Sequence, residues 1–319
     1  MDKKLYYDNV ALVPSYSEFE SRKDINVSTR IGAPIYHQIK LPVIPANMKC
    51  VIDQDIAHEL SSNGYFYIMH RFEMNNVDFV QQAQNWDIIS ISVGVKDEDR
   101  KQLLEIWDRK LRVDFITIDI AHGDSLNMRN MLEFIKNNKP NNPITIIAGN
   151  VCTIEGYERL VKWGADIVKV GVGPGAACTT KLKTGFTYPM FSCIKEISDF
   201  KDKMGYDIPI IADGGITHNG DIAKALVAGA DYVMCGKMFS ECTDSPAPYI
   251  NGQKLYFGSA SQHNKNHSRN IEGKLLELSH NGMTYKEKLE EITQDLQSAV
   301  SYSGQKSVNN LWKTDWVVI

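Results

Sequence analysis

The sequence predicts an α/β domain folded as an eight-stranded parallel barrel, and three observations predict it. Short, β-branched runs that are almost continuously apolar recur along the chain, as parallel strands covered on both faces require. Helical spacing fills the intervals between them. Polar or glycine-rich residues end most of the runs, whereas an open doubly wound sheet, the competing architecture, usually carries one glycine-rich turn after its first strand.

The runs fall, in order, at 41–48 (LPVIPANM), 65–71 (YFYIMHR), 88–95 (IISISVGV) and 115–123 (FITIDIAHG). They continue at 145–151 (TIIAGNV), 167–173 (IVKVGVG), 208–215 (IPIIADGG) and 232–239 (YVMCGKMF). Between them, 97–110 carries Leu103, Leu104 and Trp107 along one helical side, and 221–230 has the same spacing. The interval between the second and third runs holds one helix and no inserted domain, so residues 1–319 read as a single domain. Residues 240–284 are polar and weakly periodic, which predicts an active-site flap after the eighth strand. A helix resumes at 285–300 with Leu289, Ile292, Leu296 and Val300.

Composition narrows the function classes. A formal net charge of -4 and a pI near 6.1 argue against nucleic acid or an anionic membrane as the main partner. A phosphorylated small molecule stays open, because glycine-rich turns and helix N-termini bind phosphate without net positive charge. Six cysteines without a CxxC pair, no apolar N-terminal core and no bilayer-length apolar run predict a soluble cytoplasmic protein with reduced thiols.

The chemistry concentrates at strand ends. After the sixth run a Gly-Pro-Gly turn leads to Cys178, followed by Thr179 and Thr180. A thiol on a glycine-lined loop at the mouth of a barrel is placed to attack a substrate, although a free loop cysteine is the plain alternative. Asp213-Gly214-Gly215 and Gly236-Lys237 end the seventh and eighth runs, where barrels often bind phosphate, and Gly258-Ser259 adds further backbone donors. Tight turns would account for any one of these glycines, and solvent for Lys237. Asp119 and Asn150 face the mouth or cap the next helices. His263 and His267 stand four apart in an asparagine- and lysine-rich stretch, which reads as a solvated loop and not a metal site.

The motif GVGPGAACTTKLKTGF resembles the catalytic loop of the IMP dehydrogenase/GMP reductase family. YDNVALVP, the Ser21-Arg22 pair, IPANM, DIAHG, AGNV, IADGGI and SRNIEG resemble that family's motifs in the same order over nearly the whole chain. Two features resemble the reductase branch: no regulatory domain follows the second strand, and 240–284 has no Arg-Tyr pair of the kind that activates water in the dehydrogenases.

The resemblance implies NADPH-dependent reductive deamination of GMP to IMP in purine salvage, through a covalent adduct on Cys178. Thr180 and Glu272 are implied as the proton relay. Asp213, Gly214, Gly215, Gly236, Lys237, Gly258, Ser259, Ala260, Arg269 and Gly273 are implied to hold the nucleotide. Ser21, Arg22, Arg71, Asp119, Ile120, Ala121, Tyr302, Ser303 and Gly304 are implied for the cofactor. Gly173, Gly175, Cys178 and Lys181 are implied around a monovalent cation, potassium, and the assembly is implied to be a homotetramer. Arg71, Lys181, Ala176-Ala177 and Lys237 depart from the family pattern and touch cofactor and cation binding, not the reaction class. An IMP dehydrogenase without its regulatory domain, or a silent purine-nucleotide binder, is the alternative.

Overall fold

A computed structural model describes residues 3–261 and 272–319. Its centre is a seven-stranded parallel sheet: β1 (Val43–Pro45), β2 (Ser90–Val93), β3 (Phe115–Asp119), β4 (Thr145–Val151), β5 (Ile167–Val170), β6 (Ile210–Asp213) and β7 (Tyr232–Cys235). The spatial order is β1-β7-β6-β5-β4-β3-β2. From β2 to β7 neighbours in sequence are neighbours in space, and β1 pairs with β7, which leaves β1 and β2 as the two edges of the sheet. A doubly wound sheet would instead reverse its order at a switch point. The sheet is therefore curled, in the manner of a TIM-like barrel. Its core is Ile, Val, Phe and Met from both faces, with Ile44, Ile91, Ile116, Ile147, Val168, Ile211 and Val233 fully buried.

Residues 65–71 depart from expectation, since they form no strand. Phe66, Tyr67, Ile68 and Met69 are buried beside β2, but only Met69 N–H donates to a β2 carbonyl, that of Ser90, at 3.1 Å. Side chains take the other backbone partners. Ser92 Oγ donates to Met69 O (2.6 Å) and Tyr67 Oη to Ile88 O (2.9 Å), so the backbone ladder is replaced rather than absent for want of burial.

Of the remaining seven runs, 145–151 forms a strand over its whole length and the other six form strands shorter than the run. The trimmed C-terminal residues are the loops of the site. Helices cover the outside, several of them started by side-chain caps. Asp53 accepts from Ile56 N–H, Thr153 from Gly156 N–H and Thr284 from Glu287 N–H, each cap contributing about 1 kcal/mol. The last helix runs Tyr285–Ser303. Val10–Leu12 pairs with Trp316–Val318, tying the two ends of the chain together.

The described part of the segment after β7 holds regular structure where a polar loop was expected. It contains a short helix, Lys237–Ser240, and an antiparallel sheet in which β8 (Gln253–Phe257) pairs with β9 (Leu275–Leu278) and with Tyr249–Ile250. Buried Tyr256, Phe257 and Leu278 anchor that sheet, an alternation too short to register as periodicity in the sequence. No helix among the described residues is long and apolar enough to cross a membrane.

Candidate active site

The loop leaving β5 is drawn tight before it reaches the cysteine. Thr187 Oγ1 donates to Val172 O at 3.0 Å, and Cys178 N–H closes a turn onto Gly175 O at 3.0 Å. A second, distant segment then clamps it. Cys178 bridges Gly273 in antiparallel fashion, Thr179 N–H donates to Glu272 O (2.8 Å), and Lys274 N–H to Ala177 O (2.9 Å). These backbone bonds bring together side chains 92 residues apart. The Cys178 thiol donates to Thr180 Oγ1 at 3.2 Å, and Thr180 Oγ1 donates to Glu272 Oε2 at 2.6 Å. The three residues implied for catalysis thus form one hydrogen-bonded line.

The other five thiols differ in kind. All six cysteines are free. Burial pushes the Cys50 thiol up to about 11 and Cys242 up to about 12, and it raises Cys152, Cys193 and Cys235 as well. A thiol held protonated by apolar surroundings is a poor nucleophile. Cys178 is only half-buried and sits at the head of a hydroxyl–carboxylate chain.

Glycines bring the neighbouring turns against this loop. Gly214 has φ +93°, and a Cβ there would lie 2.9 Å from Pro174 Cγ and 3.2 Å from Gly175 N, so the turn after β6 stacks directly on the cysteine loop. A Cβ on Gly258 would lie 3.3 Å from both Ala177 O and Gly273 Cα. Gly215 lies against Tyr7 and Pro174, and Gly236 against the Tyr256 hydroxyl and Met48. Ala260 O accepts Glu272 N–H at 3.1 Å, which places the Gly258–Ala260 turn, Ser259 within it, beside the relay. Lys237 is half-exposed and pairs with Glu241 at 3.6 Å. Arg269, His263 and His267 lie outside the described residues.

A second cluster sits at the ends of β3, β4, β5 and β6. Lys169, on β5, is 3% exposed and holds Asp119 Oδ1 at 2.9 Å and Asp213 Oδ2. Asn47 Nδ2 donates to Asp119 Oδ2 (3.0 Å), and Asn150 Nδ2 to Asp213 Oδ2 (2.8 Å) and Gly171 O (2.7 Å). Arg71 Nη2 approaches Asp119 O at 3.5 Å. Burial alone would neutralise Lys169, but the two carboxylates overcome it and raise its pKa. Burial likewise opposes the charge of Asp119, and Lys169, Arg71 and Asn47 hold its pKa below the ordinary range. Sequence reading missed Lys169 and Asn47. The available signal was a lone lysine inside an apolar strand run, a position that favours a paired charge.

The residues implied for the cofactor divide into two groups. Asp119, Ile120, Ala121 and Arg71 stand at the strand ends. Arg22 instead meets the last helix, donating to Ser298 Oγ and Tyr302 Oη at 3.2 Å each and lying over the Tyr302 ring at 4.9 Å, while Ser21 caps the short turn that carries it by accepting Lys23 N–H at 3.3 Å. Ser303 is buried with its hydroxyl on Val300 O, and Gly304 packs against Tyr16 O, so both shape the backbone of that patch. Among the described residues, the buried polar atoms without a partner include Asn150 Oδ1 and Arg71 Nε near the strand ends and Thr179 Oγ1 and Ser261 Oγ on the loops above them. Such atoms suit a polar ligand. In the turn, Gly173 has φ +82° and Gly175 O already accepts Cys178 N–H, while Lys181 is exposed on the short helix Thr180–Thr184.

The family model for the IMP dehydrogenase / GMP reductase domain matches residues 4–318. The chain belongs to the IMP dehydrogenase/GMP reductase family. Among its similar relatives is the GMP reductase of Oceanobacillus iheyensis, 41% identical over all of this chain and 97% of that protein. The GMP reductase of Ligilactobacillus salivarius is 43% identical over 98% of this chain and 95% of its own. That of Bacillus subtilis is 40% identical over 100% and 97%. Dehydrogenase and reductase alike name redox chemistry, so this family's members are oxidoreductases of purine metabolism.

Proposed function

We propose that this protein is a GMP reductase, converting GMP to IMP and ammonia with NADPH in cytoplasmic purine nucleotide salvage. The observation that carries the reading is the line from the Cys178 thiol through Thr180 to Glu272, at 3.2 and 2.6 Å, set among glycine turns. Full-length similarity to GMP reductases supports it.

The direction of the hydrogen bonds suggests the order of events. A proton leaving Sγ passes through Thr180 to Glu272, and the freed sulfur adds to C2 of the purine. Glu272 then returns a proton by the same path to the departing 2-amino group, which leaves as ammonia. The S–C2 thioimidate remains. A hydride at C2, which NADPH supplies when bound, allows the S–C bond to break back to sulfur and IMP to leave. Splitting one displacement into two steps is what the cysteine contributes.

In this reading Asp213, Gly214, Gly215, Gly236, Lys237, Gly258, Ser259, Ala260, Arg269 and Gly273 hold the nucleotide. Asp119, Ile120, Ala121 and Arg71 hold the nicotinamide end of the dinucleotide. The Arg22–Tyr302 patch, on the outer helix, serves a dinucleotide held by a neighbouring copy in a homotetramer. Neutral carbonyls at Gly173, Gly175 and Cys178 suit potassium better than a divalent ion. The barrel is read as closed by residues 65–71 in the eighth position.

The test is the loss of reduced-nicotinamide absorbance on mixing protein, GMP, NADPH and potassium. GMP-dependent decay is expected. No decay, together with reduction of NAD+ in the presence of IMP, would reverse the assignment to the dehydrogenase direction.

A further inference from the structure

Lys169 is a buried charged group, at the ends of the central strands, to which the mechanism assigns no task. It reaches Asp119 only because of what stands between them. In the sheet register Asp119 pairs with Gly149, and Gly149 pairs with Lys169. A Cβ on Gly149 would lie 2.6 Å from Lys169 Cβ, so any other residue at that place on β4 would fill the passage. On the other side, Asp213 ends β6, adjacent to β5. Both protein donors to Asp213, Lys169 and Asn150, fall on Oδ2, which leaves Oδ1 without a protein donor among the described residues.

We propose that Lys169 is a positioning residue that couples nucleotide binding to cofactor binding, because one buried ammonium is shared by Asp213 and Asp119. The inference rests on the reading that Asp213 faces the nucleotide and Asp119 the nicotinamide dinucleotide. Two carboxylates and one ammonium leave the trio one charge short of neutral, so neither acid is fully satisfied by Lys169. A ligand hydroxyl donating to Asp213 Oδ1 takes up part of that acid's charge and releases the ammonium towards Asp119. Asp119, also held by Asn47, is thereby fixed in place before the dinucleotide arrives. Asn150 Oδ1, buried without a partner between the two sites, is a further contact for either ligand.

GMP with NADP+ is a pair that cannot complete turnover, because NADP+ carries no hydride, so its titration reads binding, with any adduct on Cys178 counted in the GMP-bound state. The experiment titrates NADP+ into the whole protein by calorimetry, with and without saturating GMP. In the wild type, GMP is expected to tighten NADP+ binding by about fivefold or more, the usual lower range of site-to-site coupling. Lys169→Met should bring that factor to nearly one and lower kcat by about a hundredfold, as misplacement of a supporting group can. Lys169→Arg, which keeps the charge, should retain most of the coupling. A merely structural lysine would change stability and leave the factor intact.

If Lys169→Met does not fold, the isosteric Asp119→Asn cuts the bridge at its other end and should lose the coupling in the same way. Wild-type coupling in either folded variant, or a factor of one in the wild type, overturns the inference. Failure of the wild type to oxidise NADPH with GMP would overturn the reading of the site instead, so the two failures are distinguishable.

Discussion

The two halves of the site are built by opposite means. The Cys178–Thr180–Glu272 line is assembled from loops, joined by a few backbone bonds between segments 92 residues apart, and its side chains are half-exposed. The Lys169–Asp119–Asp213 cluster is built on strand ends around one buried lysine, with its two carboxylates part-buried, and is fixed by sheet register. The first arrangement can open to admit and release a nucleotide. The second cannot move without moving the sheet. Under the proposed function the reacting groups stand on the adjustable half and the groups that orient ligands on the rigid half, a division suited to a reaction in which a covalent adduct forms and is then reached by a second ligand.

Four changes test that division. Cys178→Ala should abolish turnover while GMP binding, followed by calorimetry, persists. Substantial residual NADPH oxidation in that variant would sink the covalent mechanism.

Glu272→Gln keeps the shape but removes the carboxylate that accepts the proton. Deamination should slow by about 10²–10⁴-fold, the usual contribution of an acid–base group, and far more than hydride transfer. Single-turnover kinetics separates the two steps, and equal slowing of both would count against the relay.

Stability should divide the halves in the other direction. Lys169→Met leaves two part-buried carboxylates without their cation and should cost about 3 kcal/mol in urea unfolding, the low end for a broken buried pair. Glu272→Gln, on a loop, should cost less than about 0.5 kcal/mol. Similar losses for both would erase the distinction between adjustable and rigid halves.

The last change concerns His70, beside the site. It is 7% exposed and lines a cavity of about 330 Å³ with Lys49, Asp53 and Phe257, the last directly preceding Gly258. Burial, helped by the Lys49 charge, lowers its pKa from 6.5 to about 4, and its Nδ1 accepts Phe72 N–H at 3.2 Å. The unfolded chain takes up this proton first as pH falls. Stability from neutral His70 is therefore complete above pH 6.5 and is lost as the pH drops towards 4. The full loss is on the order of 3 kcal/mol. His70→Gln should flatten that part of the pH–stability curve, and an unchanged slope would place the acid sensitivity elsewhere.

Much of this was legible in the residues. Continuous apolar runs exposed the parallel strands, because a strand buried on both faces has no polar side to interrupt it. The glycine-rich ends marked the mouth, and the cysteine loop with its companion motifs pointed to the family. Three things escaped. Residues 65–71 have strand composition, but whether a run joins a ladder depends on which backbone partners neighbouring side chains have already taken, here Ser92 and Tyr67. The sheet within 240–284 rests on pairs of short strands separated in sequence, a cue no local pattern carries. Lys169 was visible as a lysine in IVKV, yet its partners lie 44 residues ahead on β6 and on β3 behind it.

The sequence by itself determined the local properties: which segments are buried, where turns must be glycine, and which residue carries the thiol. These follow from each residue's own hydrophobicity, backbone freedom and reactivity. Only the tertiary structure decided that Cys178 meets Glu272 through Thr180, and that Lys169 is shared by two acids. Both depend on strand register and on segments far apart in the chain arriving within hydrogen-bond distance, and a contact of that kind is a property of the closed fold rather than of any stretch within it.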